Sequence, residues 1–137
     1  MKLLVDTNII IDALASRKPF AADAEKIFLL AAKEEIEAYI GASSITDIYY
    51  ILRKYSSEEV SRSSLLRLCQ IFRVLPVSAS ECVSALDSTI PDYEDALQEV
   101  CARASHLDCI LTRDETFLKY SPLAVSPATF FARSGLV

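Results

Sequence analysis

Four aspartates carry the chemistry that this sequence suggests: Asp6, Asp47, Asp95 and Asp114. Asp6 ends the apolar run Met1-Lys2-Leu3-Leu4-Val5 and passes straight into the helix-like Thr7-Asn8-Ile9-Ile10-Ile11-Asp12. Asp114 closes Asp108-Cys109-Ile110-Leu111-Thr112-Arg113 in the same way. A short strand ending on an acid aims that acid at the crevice outside the carboxyl ends of a parallel sheet, where open α/β folds keep their sites. Asp47 and Asp95 fall in segments that read as helices. Carboxylates held close together repel and raise one another's pKa unless a divalent cation lies between them. Hard oxygen donors favour magnesium or manganese, so four acids gathered on one crevice would make a metal site.

Each acid also has a purely structural reading. Asp6 and Asp114 suit the N-cap of the helix that follows, where a carboxylate meets backbone N–H groups and the positive end of the helix dipole. Ser44-Ile45-Thr46-Asp47 has the capping-box spacing. On a helical wheel Asp95 points almost opposite to Leu97, Val100, Cys101 and Ala104, beside Asp92 and Glu99. Periodicity alone leaves it in solvent. The conjunction favours the metal site, because independent caps need no common arrangement.

The elements that must position these acids alternate along the chain. Helices are expected from about Thr7 to Ala15 and again where Ala24, Ile27, Phe28 and Ala31 repeat at helical spacing. Glu37 to Gly41 reads as the second strand. A third helix begins near Ser43, with Ile45, Ile48, Leu52 and Tyr55 inward, and Ser56-Ser57-Glu58-Glu59 caps a fourth. Val74 to Val77 reads as a strand closed or edged by Pro76. Helices follow through about Asp87 and from Pro91-Asp92 to about His106. After Asp114 come a helical turn, a small strand near Leu123-Ala124-Val125 and a terminal helix opened by Ser126-Pro127. Strands alternating with helices over short links predict an α/β fold, a mostly parallel sheet between helical layers. With 137 residues, 52% of them hydrophobic, and no linker or repeat, the expectation is a single domain over residues 1–137.

Other classes of function find little support. The longest apolar stretches, such as Ile27 to Ala32, are far shorter than the roughly 20 residues of a membrane span, and Asp6 interrupts anything like a signal peptide. A cytoplasmic location is expected. The four cysteines, Cys69, Cys82, Cys101 and Cys109, are scattered and read as reduced core residues. With no C-x-x-C and His106 as the sole histidine, structural zinc is not expected, and His106 reads as a dipole partner at a helix C-terminus. Two glycines, Gly41 and Gly135, do not make a phosphate-binding loop. The net charge of −5 argues against a broad basic face for nucleic acid, although cations held by the acids would reverse the sign locally.

With the acids in this order the chain resembles the PIN-domain family, and in particular VapC-type toxin ribonucleases and related small bacterial PIN proteins. The resemblance spans nearly the whole length and rests on Val5-Asp6-Thr7-Asn8, Ser44-Ile45-Thr46-Asp47-Ile48-Tyr49-Tyr50, Asp92-Tyr93-Glu94-Asp95-Ala96-Leu97 and Ile110-Leu111-Thr112-Arg113-Asp114. It implies a three-layer α/β/α sandwich, an acidic pocket for Mg2+ or Mn2+ and hydrolysis of RNA phosphodiester bonds. Asp6, Asp95 and Asp114 match the family's acids by position. Asp47 falls where many members carry glutamate, and its shorter side chain implies either a metal contact through water or one weakened site. Asp92 and Glu94 stand beside Asp95 as further ligand candidates. The resemblance also implies pairing into a homodimer and, for the toxins, a cognate antitoxin.

Substrate would be held by local cations, with Arg17, Lys18, Arg53, Lys54 and above all Arg113 as candidates against a background of solubilising charge. Thr112 and Asn8 are placed to orient water or phosphate. Tyr49, Tyr50 and Phe117 could stack on bases, but core packing is the simpler expectation for them. Two other readings stay open. One is a phosphatase or phosphotransferase phosphorylated on the first aspartate, although Asp6-Thr7-Asn8 lacks the second acid of a D-x-D pair. The other is a catalytically weak module that uses the fold to dock a partner.

Overall fold

The computed structural model describes residues 1–136. Its five strands are β1 (Lys2–Val5), β2 (Glu37–Gly41), β3 (Arg73–Leu75), β4 (Cys109–Leu111) and β5 (Ala124–Val125). They form one sheet in the order β3-β2-β1-β4-β5, with every neighbouring pair parallel. The helices are α1 (Thr7–Leu14), α2 (Ala21–Ala32), α3 (Ala42–Arg53), α4 (Glu58–Ile71), α5 (Ala79–Ser84), α6 (Tyr93–Ala104), α7 (Glu115–Tyr120) and α8 (Pro127–Ser134). A 3₁₀ turn over Ala85–Asp87 continues α5.

The central strand shows why the sheet must be covered on both faces. Successive side chains of a strand point to opposite sides. Leu3 and Val5 enter one core, with Ile9, Ile27, Ile48, Leu68 and Phe72 from α1 to α4 and the end of α4. Leu4 enters the other, with Ala85, Leu97, Cys101 and Phe117. In β4, Leu111 and Ile110 divide between the same two cores. A strand buried on both faces reads as an unbroken apolar run, and Leu3-Leu4-Val5 is one.

Polar caps set several boundaries. Ser57 accepts from Val60 N–H to open α4, Ser78 and Glu81 form a capping box on α5, and Ser126 with Pro127 opens α8. Gly135 ends α8 with φ of 71°, a left-handed conformation that glycine adopts without a Cβ clash. The third helix departs from expectation: it begins at Ala42, with Gly41 rather than a serine at the cap, so Asp47 sits in its second turn and not in a capping box. Strand β3 stops at Leu75, before Pro76. All four cysteines are free, and Cys69 is exposed on α4 instead of entering the core. Among the described residues no helix is long and apolar enough to cross a membrane.

The sheet order makes one crevice. From β1 the chain winds outward through β2 and β3, then returns to the other side of β1 with β4 and β5. The connections leaving β1 and β4 diverge there, and that switch point opens at their carboxyl ends. Asp6 and Thr112 are the first residues beyond those two strand ends.

Candidate metal centre

Register fixes the first acid. Val5 pairs with Leu111, and Asp6 N–H donates to the Leu111 carbonyl at 2.9 Å, so Asp6 and Thr112 emerge side by side. The Thr112 hydroxyl donates to Asp6 Oδ2 at 2.7 Å, and Gln98 Nε2 donates to Oδ1 at 3.1 Å. The same Oδ1 accepts Thr7 N–H at 2.8 Å as the cap of α1. Capping and site-building are therefore one arrangement here, since the helix that Asp6 caps also holds its carboxylate still. Asp6 is 6% exposed, so its carboxylate is almost fully withdrawn from bulk solvent. Thr112 Oγ1 in turn accepts Asp114 N–H at 3.1 Å and Asn8 Nδ2 at 3.4 Å.

The other three acids reach the same place from different elements. Asp6, Asp47, Asp95 and Asp114 all line one cleft of about 530 Å³, together with Asp92 and Glu94. Asp114 caps α7, its Oδ1 accepting Thr116 N–H at 2.9 Å and Phe117 N–H at 3.1 Å. Asp92 caps α6 through Asp95 N–H at 3.0 Å. Asp47 is exposed on α3 across the cleft.

Asp95 departs most from the helical-wheel expectation. It is 8% exposed rather than solvated, because the first turn of α6 is driven into the crevice. One turn on, Gln98 is 3% exposed and is the donor to Asp6. The polar face of α6 is thus a second buried face, and the i, i+3 pair Asp95–Gln98 is the sequence signal that would have found it.

Crowding of like charge is visible in the proton affinities. The Asp95 carboxyl is pushed from an ordinary 3.8 up to about 7, first by burial and then by Asp6, Asp92, Asp114 and Glu94. Glu94 is also raised, first by burial and then by Asp47, Asp6 and Asp92. Among the described residues no three acidic, histidine or cysteine side chains stand close enough to grip an ion as they are. The residues nevertheless fit a hard divalent cation: the donors are all oxygen, Asp95 is held at a cost that a cation would relieve, and Thr7 Oγ1 and Asn8 Oδ1 at the cleft are buried without partners.

Arg113 does not grip substrate as the sequence led us to expect. Its guanidinium turns inward, Nε donating to Asp12 Oδ2 at 2.7 Å and Nη2 to Oδ1 at 2.9 Å, beneath the Phe20 ring at 4.0 Å. Asp12 is completely buried. An acid in the apolar run of α1, four residues after Asn8, was the available signal for this partner. The pair ties α1, which Asp6 caps, to the turn that carries Thr112 and Asp114. Arg17 and Lys54 do line the cleft, whereas Arg53 bonds the Ser56 carbonyl at 2.8 Å and Lys18 and His106 lie elsewhere on the surface.

Two outcomes follow from these charges. Arg113→Ala removes both close bonds to the buried Asp12 carboxylate and leaves it only Arg17 at 3.9 Å, so urea unfolding should show a loss of about 3 kcal/mol, the low end of the scale for breaking a buried pair from one side. Asp95 has a folded-state pKa above its unfolded one, so its contribution to stability falls as pH rises from about 4 to about 7 and is least favourable above that. Without metal, Asp95→Asn should therefore melt above the wild type by roughly 3–5 °C at pH 8, with the gap closing toward pH 5 in thermal melts.

Comparison with known proteins agrees with this fold. The PIN-domain family profile matches residues 2–116. A search of curated protein sequences finds no match. Among solved structures, the chain is similar to VapBC2 of Rickettsia felis bound to a promoter DNA fragment, at 19% identity and a TM-score of 0.66, over 92% of this chain and 97% of that one. It is similar to a toxin–antitoxin complex from Klebsiella pneumoniae at 23% identity and 0.68, over 91% and 97%. It is also similar to Mycobacterium tuberculosis VapC20, a Sarcin-Ricin loop cleaving toxin, at 15% identity and 0.66, over 85% and 93%. At these identities the structures speak for the fold, and the family profile for membership: the chain belongs to the PIN-domain family.

Proposed function

We propose that this protein is a divalent-metal-dependent endoribonuclease acting in the cytoplasm as the toxin of a toxin–antitoxin pair. The observation that carries the reading is the convergence of Asp6, Asp47, Asp95 and Asp114 on one cleft at the switch point of the sheet. Asp6, Asp95 and Asp114 would hold Mg2+ or Mn2+ directly, and Asp47, exposed on the far side, would act through water. When bound, the cation supplies Lewis-acid polarisation of the phosphodiester and acidifies the attacking water.

The chain's own groups supply the rest. Thr112 and Gln98 hold both oxygens of Asp6 in one orientation, which keeps its remaining lone pairs aimed at the cleft. Glu94, whose proton affinity is raised by burial and by Asp47, takes the proton of the attacking water. Water adds to phosphorus as the bond to the leaving ribose oxygen breaks, and no side chain becomes covalently attached. The phosphotransferase reading is disfavoured because Asp6, wedged between Thr112, Gln98 and the α1 terminus, is a poor nucleophile.

The partner reading draws on the neighbours, two of which are toxin–antitoxin assemblies. Exposed Leu14 and Tyr55 border an apolar recess between α1 and α3 that would accept an antitoxin segment, and a homodimer is the expected resting form. The open spacing of the acids favours one alternative, a docking module that holds no metal.

Cleavage of a mixed single-stranded RNA pool in manganese tests the proposal. Wild type should cleave, and manganese should raise its thermal midpoint as the ion concentration passes the dissociation constant. Asp6→Asn keeps the cap but should lose activity by more than the roughly 100-fold that outer-shell changes cost. Asp95→Asn should be nearly as damaging and Asp47→Asn less so. An unchanged midpoint at high millimolar manganese, with no cleavage, would select the docking module.

A further inference from the structure

Beyond the acids, the cleft has a second chemistry on α3. Asp47, Tyr50, Ile51 and Lys54 are spaced i, i+3, i+4 and i+7, one face of a helix, and all four line the cleft. Along the helix axis the face rises about 10 Å from residue 47 to residue 54, at 1.5 Å per residue. Tyr50, which the sequence suggested would pack inward, is 65% exposed, and an edge-to-face contact with Tyr49 at 5.3 Å holds its ring. Lys54 forms no ion pair among the described residues. Opposite, Arg17 keeps a longer ion pair of 3.9 Å with Asp12, which Arg113 bonds more closely, and its side chain stays about half exposed at the cleft. On the far side of Tyr50 and Lys54 a shallow recess of about 550 Å³, lined also by Tyr49 and Arg53, carries the surface away from the acids.

We propose that Tyr50 and Lys54, faced by Arg17, form the seat for the base and phosphate of the nucleotide next to the cleaved bond. This rests on the nuclease reading above. The Tyr50 ring stacks on the flanking base, and Lys54 and Arg17 neutralise the phosphate that an acidic cleft would otherwise repel. An exposed aromatic beside an unpaired lysine and a half-exposed arginine is the chemistry of single-strand platforms, and a base inside a duplex cannot reach the ring.

The test compares wild type, Tyr50→Phe, Tyr50→Leu and Lys54→Gln on one single-stranded RNA and on its duplex, with thermal midpoint and manganese affinity measured alongside. Tyr50→Leu should lose about 10- to 100-fold in kcat/KM on the single strand, mainly through KM, while Tyr50→Phe stays within about twofold. Lys54→Gln should reduce the salt dependence of KM by about 0.7 in log–log slope. Manganese affinity and midpoint should stay at wild-type values in all three, and the duplex should be a poor substrate throughout. Undiminished cleavage by Tyr50→Leu, with wild-type salt dependence in Lys54→Gln, overturns the seat and leaves the nuclease reading intact. The same result with weakened self-association would assign the stripe to a second copy of the chain. Failure of wild type to cleave or bind any RNA overturns both.

Discussion

The hydrogen bond from Thr112 to Asp6 joins the two halves of this molecule at their most demanding point. It spans the switch between β1 and β4 and orders a carboxylate that three other acids crowd. Burial first, and like charges second, raise the proton affinity of Asp95, so an ionised Asp95 at this crevice opposes the fold. The sheet, the caps and the buried pair Asp12–Arg113 hold the acids there regardless. Function at such sites is commonly opposed to stability, and a cation would reconcile the two.

The same backbone groups serve both ends. Asp6 and Asp114 each open a helix, so their orientation is set by local N–H donors rather than by distant packing. Gln98 and Thr112 then lock Asp6 from above and beside. Arg113 works one step further out. By closing on Asp12 it fastens the β4–α7 turn to α1, so Thr112 and Asp114 cannot drift relative to Asp6. This makes Arg113 a positioning residue and leaves Arg17 and Lys54 as the cations that line the cleft.

Much of this was legible in the sequence, and the misses have physical causes. Strand-end acids and apolar runs buried on both faces are local patterns, so β1, β4, Asp6 and Asp114 were readable directly. The depth of Asp95 was not, because a helical wheel reports one buried face and α6 has two. Gln98 went unnoticed for the same reason. Tyr50 was misjudged since an exposed aromatic and a core aromatic look alike until the neighbouring helices are placed. Arg113 was misassigned because its partner Asp12 lies 101 residues away. Long-range pairing of charges leaves no periodic trace, whereas chain-local capping does.

The most direct test of the central claim is anomalous diffraction from crystals grown with manganese. The account predicts a peak within the cleft bounded by Asp6, Asp95 and Asp114 in the wild type, and none there in Asp6→Asn. A wild-type cleft without a peak at saturating manganese, or manganese found only elsewhere on the surface, would contradict it.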